Sequence, residues 1–317
     1  MDYLLLVIGF ALLIKGADML VDGASSFAKK LGVSSLVIGL TIVAFGTSAP
    51  ELVVNIMSAM SGNTDLAISN ILGSNISNIL LILGLTSIVY PIAMPTSTVK
   101  KEIPFMIFVS TVLFGLLYDG ILTRFDSMIL IVFFAMFLYY TYSISHDGID
   151  QEEIIEEKKE SESIIVMSKV KSITYIVLGL TGLIVGGKFI VDSAVNIASG
   201  LGLPMSFIGV TIVAVGTSLP ELAASLMAAF KKNTDMAIGG IIGSNIFNIL
   251  WILGISGFIT PLKGYNGMQI DLIVELLASI LIFLAAFSYQ KNFLVRGEGI
   301  FLIVGYIGYV TYLGYML

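Results

Sequence analysis

The chain has 317 residues, of which 57% are hydrophobic and 12% are charged, and its mean hydropathy is +1.00. A typical soluble domain is about 25% charged, so this composition excludes an ordinary soluble globule and a disordered chain. The chain has no cysteine and one histidine, His146, which excludes disulfides, thiolate metal sites and most histidine-based catalysis. Such a composition is typical of a polytopic membrane protein.

Ten apolar segments are long enough to be membrane-spanning helices, which need about 20 residues each. In chain order they cover roughly residues 3–26, 34–60, 66–90, 102–119, 126–145, 172–198, 204–230, 236–260, 268–289 and 298–316. The sequence starts Met1-Asp2 with no basic region, so we interpret the first segment as a retained span and not a signal peptide. The predicted fold class is therefore all-α and polytopic, with ten transmembrane helices.

The basic residues predict the orientation of these segments. With the N-terminus outside, the inside loops hold twelve of the sixteen basic residues, and the outside loops hold only Arg124 and Lys263. This asymmetry follows the positive-inside rule, so we expect both termini outside and the loop 146–171 in the cytoplasm. That loop carries eight acidic residues and contributes most of the net charge of −6. We interpret it as a solvated linker, with a cation-sensing segment as the alternative.

Residues 39–86 and 209–256 form an internal repeat at a constant offset of 170, with 29 of 48 positions identical. The identities include Gly, Pro, Glu, Ser and Asn in one register, which apolar composition alone does not produce. Each half has five spans, an odd number, so corresponding segments cross the membrane in opposite directions. We predict two inverted repeats, over residues 1–145 and 172–317, joined by the linker 146–171. Inverted repeats are typical of transporters with a substrate site near the midplane.

The second and seventh segments share the motif Gly-Thr-Ser-x-Pro-Glu, which ends in Glu51 and Glu221. Proline has no N–H, so we expect both helices to be broken near Pro50 and Pro220. A carboxylate at the centre of a membrane helix costs about 2.5–3.5 kcal/mol, so two at matching positions indicate a function. Two close carboxylates hold protons or bind a cation. Oxygen donors alone favour the hard cations Na⁺, Ca²⁺ and Mg²⁺.

The third and eighth segments share a second motif, Gly-Ser-Asn-x-x-Asn. It places a serine and an asparagine four residues apart on one helix face in each half, namely Ser74 with Asn78 and Ser244 with Asn248. These side chains would add neutral oxygens to the site, or would join packed helices as polar contacts. Asn75 and Asn245 point elsewhere and are interpreted as structural.

Several charged residues within the apolar segments lie outside these motifs. Lys188 is four residues before Asp192, which favours an ion pair within one helix. Glu275 lies near the start of the ninth segment, and we expect it at the membrane interface, with a place along an ion entry path as the alternative.

Two copies of these paired motifs resemble the alpha-repeats of the cation/Ca²⁺ exchanger superfamily, and most closely its prokaryotic Na⁺/Ca²⁺ exchanger branch. The resemblance covers nearly the whole chain. It implies a secondary active antiporter that exchanges Na⁺ for Ca²⁺ by alternating access in a prokaryotic cell membrane. It also implies four ion sites at the midplane, and a gating pair, here the first and sixth spans, that slides over the other eight.

The resemblance further implies which residues bind the ions. The central Ca²⁺ site would use Glu51, Glu221 and the carbonyls of Thr47 and Thr217. The Na⁺ sites would add two alanine carbonyls, four serine hydroxyls and two asparagine amides, from Ala44, Ala214, Ser48, Ser218, Ser74, Ser244, Asn78 and Asn248.

Three positions bear on the coupling ion and leave a K⁺-dependent or H⁺-coupled Ca²⁺ antiporter as the alternative. The H⁺/Ca²⁺ branch usually has Asn where this chain has Thr47 and Thr217, and the K⁺-dependent branch has Asp at the position of Asn248. Two other function classes are disfavoured. The sequence has no nucleophile–His pair, which a membrane-embedded hydrolase would need. A passive channel usually has an oligomeric pore, whereas this site would lie within one duplicated chain. We therefore expect no enzyme activity, no cofactor besides the transported Ca²⁺ and Na⁺, no nucleic-acid partner, and a monomer in the lipid bilayer.

Overall fold

The computed structural model describes residues 1–146, 166–201, 216–287 and 290–316. The described residues are mostly helical, and these ranges contain four two-residue strands. The eight acidic residues of the linker and the predicted site residue Ala214 lie outside the described residues.

The first half contains eight α-helices, several of which continue one another through a π-helical turn. In chain order they are α1 (Asp2–Leu31), α2 (Ser35–Ile38), α3 (Ala44–Thr47), α4 (Ala49–Met60), α5 (Thr64–Ile76), α6 (Gly84–Val89), α7 (Ile103–Leu116) and α8 (Arg124–His146). The π-helical turns are Gly39–Val43, Ser77–Leu83 and Thr98–Glu102.

The described part of the second half repeats this pattern. Its α-helices are α9 (Lys169–Gly200), α10 (Leu219–Phe230), α11 (Thr234–Phe247), α12 (Gly254–Ile259), α13 (Met268–Ala285) and α14 (Arg296–Met316). The π-helical turn Asn248–Leu253 joins α11 to α12, as Ser77–Leu83 joins α5 to α6.

In the described part of the chain, seven helices are long and apolar enough to cross a membrane, and eight when the bent run from α2 to α4 is one span. This result agrees with the predicted all-α, polytopic fold. The fourth and seventh predicted segments contain the shorter helices α7 and α10. The count of ten spans therefore stays a prediction.

The two helices that carry the Gly-Ser-Asn-x-x-Asn motif lie at the centre of the bundle. In the run from α11 to α12, 89% of the most apolar stretch is buried, and in the run from α5 to α6 the share is 78%. In α14 it is only 11%. The main hydrophobic cluster surrounds the two central runs, with α7 and α13 packed against them. The motif side chains are therefore held inside the protein and away from lipid.

Helices α1 and α9 pack closely against each other. A Cβ atom on Gly179 would lie 2.6 Å from the backbone N of Leu20, and one on Gly16 would lie 2.7 Å from that of Leu183. Both distances are shorter than real Cβ contacts, so glycine is required for this approach. The pair forms a second hydrophobic cluster, distinct from the main one, with parts of α10 and α11.

Two antiparallel strand pairs link the halves. Strand β1 (Ile92–Ala93) pairs with β4 (Phe293–Leu294), and β2 (Ile121–Leu122) pairs with β3 (Leu262–Lys263). β1 and β3 follow the two central helical runs, and β2 and β4 follow the next helix in each half. In each pair, the strand after the central run of one half therefore binds the strand after the next helix of the other half. The two pairs are equivalent under exchange of the halves.

The expectation that Glu275 lies at the membrane interface is wrong. The residue is fully buried, since its face of α13 packs against α7 and α5. Its carboxylate accepts a hydrogen bond of 2.7 Å from the Ser110 hydroxyl.

The predicted pair of Lys188 and Asp192 is absent as well. Both residues are exposed, and no ion pair joins them in the described part of the chain. Instead, Lys231 at the end of α10 reaches α1, where its Nζ lies 2.7 Å from an Asp18 oxygen and 2.6 Å from an Asp22 oxygen. Asp22 therefore forms an ion pair between α1 and the end of α10.

Candidate ion-binding site

The second predicted segment is broken at Ser48, as Pro50 predicts. Helix α3 ends at Thr47 and α4 begins at Ala49, and the two parts are bent by 46°. Ser48 has φ −80° and ψ 8°, outside regular helical geometry. Pro50 stands in the first turn of α4, where a missing N–H removes no bond within the helix.

The corresponding region of the second half has the same local geometry where the structure describes it. Ser218 has φ −86° and ψ 5°, and α10 begins at the next residue with Pro220 in its first turn. The residues directly before Gly216, 202–215, include Ala214 and lie outside the described residues.

Glu51 and Glu221 lie in the first turns of α4 and α10. Their exposed fractions are 0% and 2%. The N–H groups and the positive dipole end of each helix favour a negative charge at this position. The two carboxylates are also close enough to repel each other. The breaks therefore bring together two acids that neither water nor lipid reaches.

Serine hydroxyls from both halves contact these carboxylates. Ser48 Oγ donates to Glu221 Oε1 at 3.2 Å, and Ser74 Oγ donates to Glu51 Oε1 at 3.4 Å. Ser74 Oγ also lies 3.2 Å from Ser218 Oγ. The contacts cross between the halves, so the acids and serines form one connected cluster.

The motif threonines lie at the edge of this cluster. Thr47 Oγ1 donates to the carbonyl of Val43 at 3.0 Å and lies 3.5 Å from Ser244 Oγ. Its side chain also faces the Glu221 carboxylate, and that of Thr217 faces Glu51.

The predicted carbonyl ligand of the first half, Ala44 O, is within this region. It accepts a hydrogen bond of 3.0 Å from the backbone N–H of Ser48 and a longer one of 3.4 Å from Thr47 Oγ1. The single Thr47 hydroxyl proton is shared with the carbonyl of Val43 at 3.0 Å, so the second lone pair of Ala44 O is only weakly engaged.

The motif asparagines contact one another across the two central helical runs. Asn78 Nδ2 donates to Asn245 Oδ1 at 2.9 Å, and Asn248 Nδ2 donates to Asn75 Oδ1 at 3.0 Å. Asn75 and Asn245 each donate to the other's backbone carbonyl, at 3.3 and 3.4 Å. Asn75 and Asn245 therefore accept hydrogen bonds from the side-chain amides of Asn248 and Asn78 and hold these amides in place.

Four oxygen atoms of this cluster are buried and receive no hydrogen bond from any described residue. They are Glu51 Oε2, Glu221 Oε2, Asn78 Oδ1 and Asn248 Oδ1. A buried acceptor without a partner is unfavourable unless a ligand satisfies it. Carboxylate and amide oxygens are the atoms that bind hard cations in proteins.

The structure thus brings together the predicted site residues that it describes, eleven of the twelve. The described residues hold no group of three or more His, Asp or Glu that could bind a metal. The charge of the cluster is therefore supplied by Glu51 and Glu221 alone.

Sequence reasoning missed the contacts that Asn75 and Asn245 make with the motif asparagines, and it missed the burial of Glu275. The two asparagines belong to the repeated motif, so a signal was present, although a single helix face does not show contacts between helices. Glu275 has no acidic counterpart in the first half and carried no repeat signal.

A helical bundle with two buried acids in the first turns of helices, one of which continues a helix broken at Ser48, defines a class of protein, the membrane transporters with a polar site at broken helices. The chain belongs to the sodium/calcium exchanger protein family, whose family model matches residues 1–143 and 171–315. The two matches lie on either side of the acidic linker.

Similarity to individual relatives extends over the whole chain. The chain is 40% identical to the putative antiporter CaxA of Alkalimonas amylolytica, over 96% of this chain and 95% of the relative. It is 31% identical to the sodium/calcium exchanger MaX1 of Methanosarcina acetivorans, over 99% of each. The solved structure of the sodium-calcium exchanger NCX_Mj matches with a TM-score of 0.84 and 31% identity over 98% of each chain. The predicted family is confirmed, and the chain is an integral membrane protein with the helical fold of NCX_Mj.

Proposed function

We propose that the chain is a secondary active antiporter that exchanges Na⁺ for Ca²⁺ across the membrane. The main support is the pair of buried carboxylates, Glu51 and Glu221, each with an oxygen that no described donor reaches. Two carboxylates neutralise one Ca²⁺ ion. With the free amide oxygens of Asn78 and Asn248 they offer the all-oxygen environment that Ca²⁺ prefers, and Na⁺ uses the same kind of donor.

We assign the ligands from the two repeated motifs and, for the described residues, from their place in this cluster. Glu51 and Glu221 bind the divalent ion, together with the carbonyls of Thr47 and Thr217. The remaining ligands complete the Na⁺ sites and consist of Ser48, Ser218, Ser74, Ser244, Asn78, Asn248 and the carbonyls of Ala44 and Ala214.

Competition for shared oxygens explains how one ion gradient would drive the other. An empty site contains two desolvated carboxylates that repel each other, and a cation between them offsets that cost. The change between inward-facing and outward-facing states is therefore favoured when Ca²⁺ or Na⁺ is bound and disfavoured when the site is empty.

The proposed architecture has ten transmembrane helices in two inverted repeats, residues 1–145 and 172–317, joined by the linker 146–171. The reciprocal bonds between Asn75 and Asn245 and the reciprocal strand pairs support two related halves. Alternating access would move α1 and α9 against the remaining helices. The close approach of α1 and α9 at Gly16 and Gly179 supports this division, because a unit that slides keeps its internal packing.

We place the protein in a prokaryotic cell membrane as a monomer, with both termini outside and the linker in the cytoplasm. The twelve-to-two distribution of basic residues supports the orientation. The relatives from Alkalimonas amylolytica and Methanosarcina acetivorans support the prokaryotic location.

The relatives also bear on the coupling ion. MaX1 and NCX_Mj are named sodium/calcium exchangers and match over nearly their whole lengths. The vacuolar cation/proton exchanger 2 of Oryza sativa is 22% identical, and the sodium/potassium/calcium exchanger 4 of Mus musculus matches only 42% of this chain. We therefore favour Na⁺ over H⁺ or K⁺ as the coupling ion.

The test is uptake of ⁴⁵Ca²⁺ into proteoliposomes that contain the native protein. Liposomes loaded with Na⁺ are diluted into Na⁺-free buffer without K⁺, and parallel samples carry a K⁺ gradient or a pH gradient instead. Uptake that requires internal Na⁺ supports the proposal. Uptake that begins only with K⁺ or a pH gradient would replace it with the corresponding alternative, and uptake indifferent to every gradient would indicate a channel.

A further inference from the structure

The C-terminal end of α10 is bonded to α1, which belongs with α9 to the proposed moving pair. Lys231 Nζ lies 2.7 Å from an Asp18 oxygen and 2.6 Å from an Asp22 oxygen, and it also donates to the backbone carbonyl of Asp18 at 3.1 Å. We call these bonds of Lys231 the α1–α10 bridge. Two residues further on, Asn233 Nδ2 donates to Ser25 Oγ of α1 at 3.0 Å. Since α10 stays fixed in the proposed exchange, these bonds join the moving pair to the fixed helices.

The corresponding turn of the first half has the same backbone shape but different contacts. Residues 61–63 follow α4 as residues 231–233 follow α10, and the middle residue of both turns has a positive φ. The third residue of each turn donates its backbone N–H to the carbonyl five residues earlier, at 2.9 and 2.8 Å. Ser61 and Asn63 are nevertheless exposed, and within the described residues neither side chain is bonded to α1 or α9. Only the turn after α10 is therefore bonded to the moving pair in the described part of the chain.

The side-chain charges exclude an equivalent bridge in the other half. The repeat offset of 170 places Ser61 at the position of Lys231, and Lys188 at the position of Asp18. Serine carries no charge, and Lys188 has the opposite sign to Asp18, so the repeat partners do not attract each other as the bridge residues do. This difference belongs to the sequence and persists in every access state. A bridge of this kind can therefore form at only one end of the moving pair.

The two turns lie on opposite sides of the membrane in the proposed architecture. Helices α4 and α10 are repeat equivalents and cross in opposite directions, so the turn 231–233 faces the cytoplasm and the turn 61–63 faces the outside. In transporters built from inverted repeats, one group of helices rocks against the other and closes one side at a time. The side where the moving helices are bonded to the fixed helices is the closed one. Here that side is the cytoplasmic side.

We propose that the α1–α10 bridge holds the cytoplasmic side closed and favours the outward-facing state of the exchanger. This inference rests on the proposed function, since it assumes that α1 and α9 move against the other helices. Opening toward the cytoplasm breaks two ion pairs, whereas opening toward the outside breaks no equivalent pair. The bridge therefore lowers the population of the inward-facing state, and with it the apparent affinity of the site for ions from the cytoplasm.

The test measures the accessibility of each side by cysteine labelling. The chain has no cysteine, so a single introduced cysteine reports its own position. Ala228→Cys is the cytoplasmic reporter, because Ala228 on α10 is 1% exposed and belongs to the hydrophobic cluster that α10 shares with α1. Asn63→Cys, in the exposed turn after α4, is the outside reporter. The rate of reaction with a charged maleimide is measured for each reporter in lipid nanodiscs, which leave both sides open to the reagent.

We expect Lys231→Met to raise the labelling rate of Ala228→Cys roughly threefold, the size of effect that partly exposed ion pairs have, and to lower that of Asn63→Cys. High salt should raise the Ala228→Cys rate when Lys231 is present and have no such effect in Lys231→Met, because salt screens these pairs. Lys231→Arg keeps the charge, and Lys232→Met removes the neighbouring one, so neither should change the rates. If Lys231→Met does not accumulate, the double variant Asp18→Asn, Asp22→Asn replaces it.

Equal labelling rates in Lys231→Met and Lys232→Met would overturn the role of the bridge. Rates that rise at both reporters would overturn it as well, because they would show a loosened structure and not a shift from one access state to the other. The proposed function fails by a different result, namely ⁴⁵Ca²⁺ uptake by the native protein that is indifferent to the Na⁺ gradient. Labelling needs no transport, so the two failures are distinguishable.

Discussion

Ser48 Oγ donates to Glu221 Oε1 across 3.2 Å and so joins the helix break of one half to the buried acid of the other. The repeat equivalent of Ser48 is Ser218, but Glu51 accepts its hydrogen bond from Ser74, a residue of its own half. The repeated motifs are therefore identical in sequence but different in hydrogen bonding. Such a difference is expected of inverted halves in a single access state, because each half then has a different relation to the two sides of the membrane.

The serine donors should contribute to ion affinity through the acids that they orient. We expect Ser48→Ala and Ser74→Ala each to weaken Ca²⁺ binding roughly tenfold, because a hydrogen bond to a charged group is lost. Ser87→Ala is the matched control, since the Ser87 hydroxyl donates to the backbone carbonyl of Gly84 on the same helix. Calorimetric titration of the purified variants measures the effect. Equal affinities for all three variants would contradict the assigned role.

The contact between α1 and α9 should be intolerant of added volume. A Cβ on Gly179 would lie 2.6 Å from the backbone N of Leu20, so Gly179→Ala forces two helices apart. We expect a loss of about 1–3 kcal/mol, seen as a lower melting temperature in detergent.

Gly308→Ala in α14 is the control for this change, because a Cβ there meets no atom within 4 Å. An alanine in that helix interior should be neutral or stabilise the protein by about 0.5–1 kcal/mol. A Gly179→Ala variant as stable as Gly308→Ala would show that the helices are not packed as described.

Lys231 should stabilise the position of α1 through its bonds to Asp18 and Asp22, at 2.7 and 2.6 Å. Because the three side chains are partly exposed, Lys231→Met should cost only about 1 kcal/mol. Salt screens such pairs, so the loss should shrink at high ionic strength. Lys232→Met removes the same charge from the neighbouring position and is the control. Equal melting temperatures for the two variants at low salt would contradict the interhelical pair.

Much of the site could be predicted because its chemistry is local to the repeated motifs. Pro50 cannot stand in the interior of a continuous helix without the loss of a backbone hydrogen bond, so it favours the start of a new helix, and the break at Ser48 lies just before it. Glu51 and Glu221 are costly in a membrane unless a function retains them, so their burial in one cluster followed as well.

The features that were missed depend on contacts between helices. A helix-face argument placed Asn75 away from Ser74 and Asn78, but it did not show that Asn75 meets Asn248 from another helix. Glu275 was assigned to the interface because a single acid near the start of an apolar segment fits that place. Only the packing of α13 against α7 and α5 shows that it is buried.

The central claim is that Glu51 and Glu221 together carry the coupled exchange. It is tested most directly by ⁴⁵Ca²⁺ uptake into Na⁺-loaded proteoliposomes, with K⁺ absent, for the native protein, Glu51→Gln and Glu221→Gln. Glu102→Gln is the matched control, since Glu102 is a buried acid that accepts its bond from Tyr140.

The account predicts uptake that needs internal Na⁺ in the native protein and in Glu102→Gln. It predicts uptake near background in Glu51→Gln and in Glu221→Gln. Each variant replaces one carboxylate with a neutral amide, so a single negative charge remains to neutralise the two positive charges of Ca²⁺. Native rates in either Glu51→Gln or Glu221→Gln would contradict it.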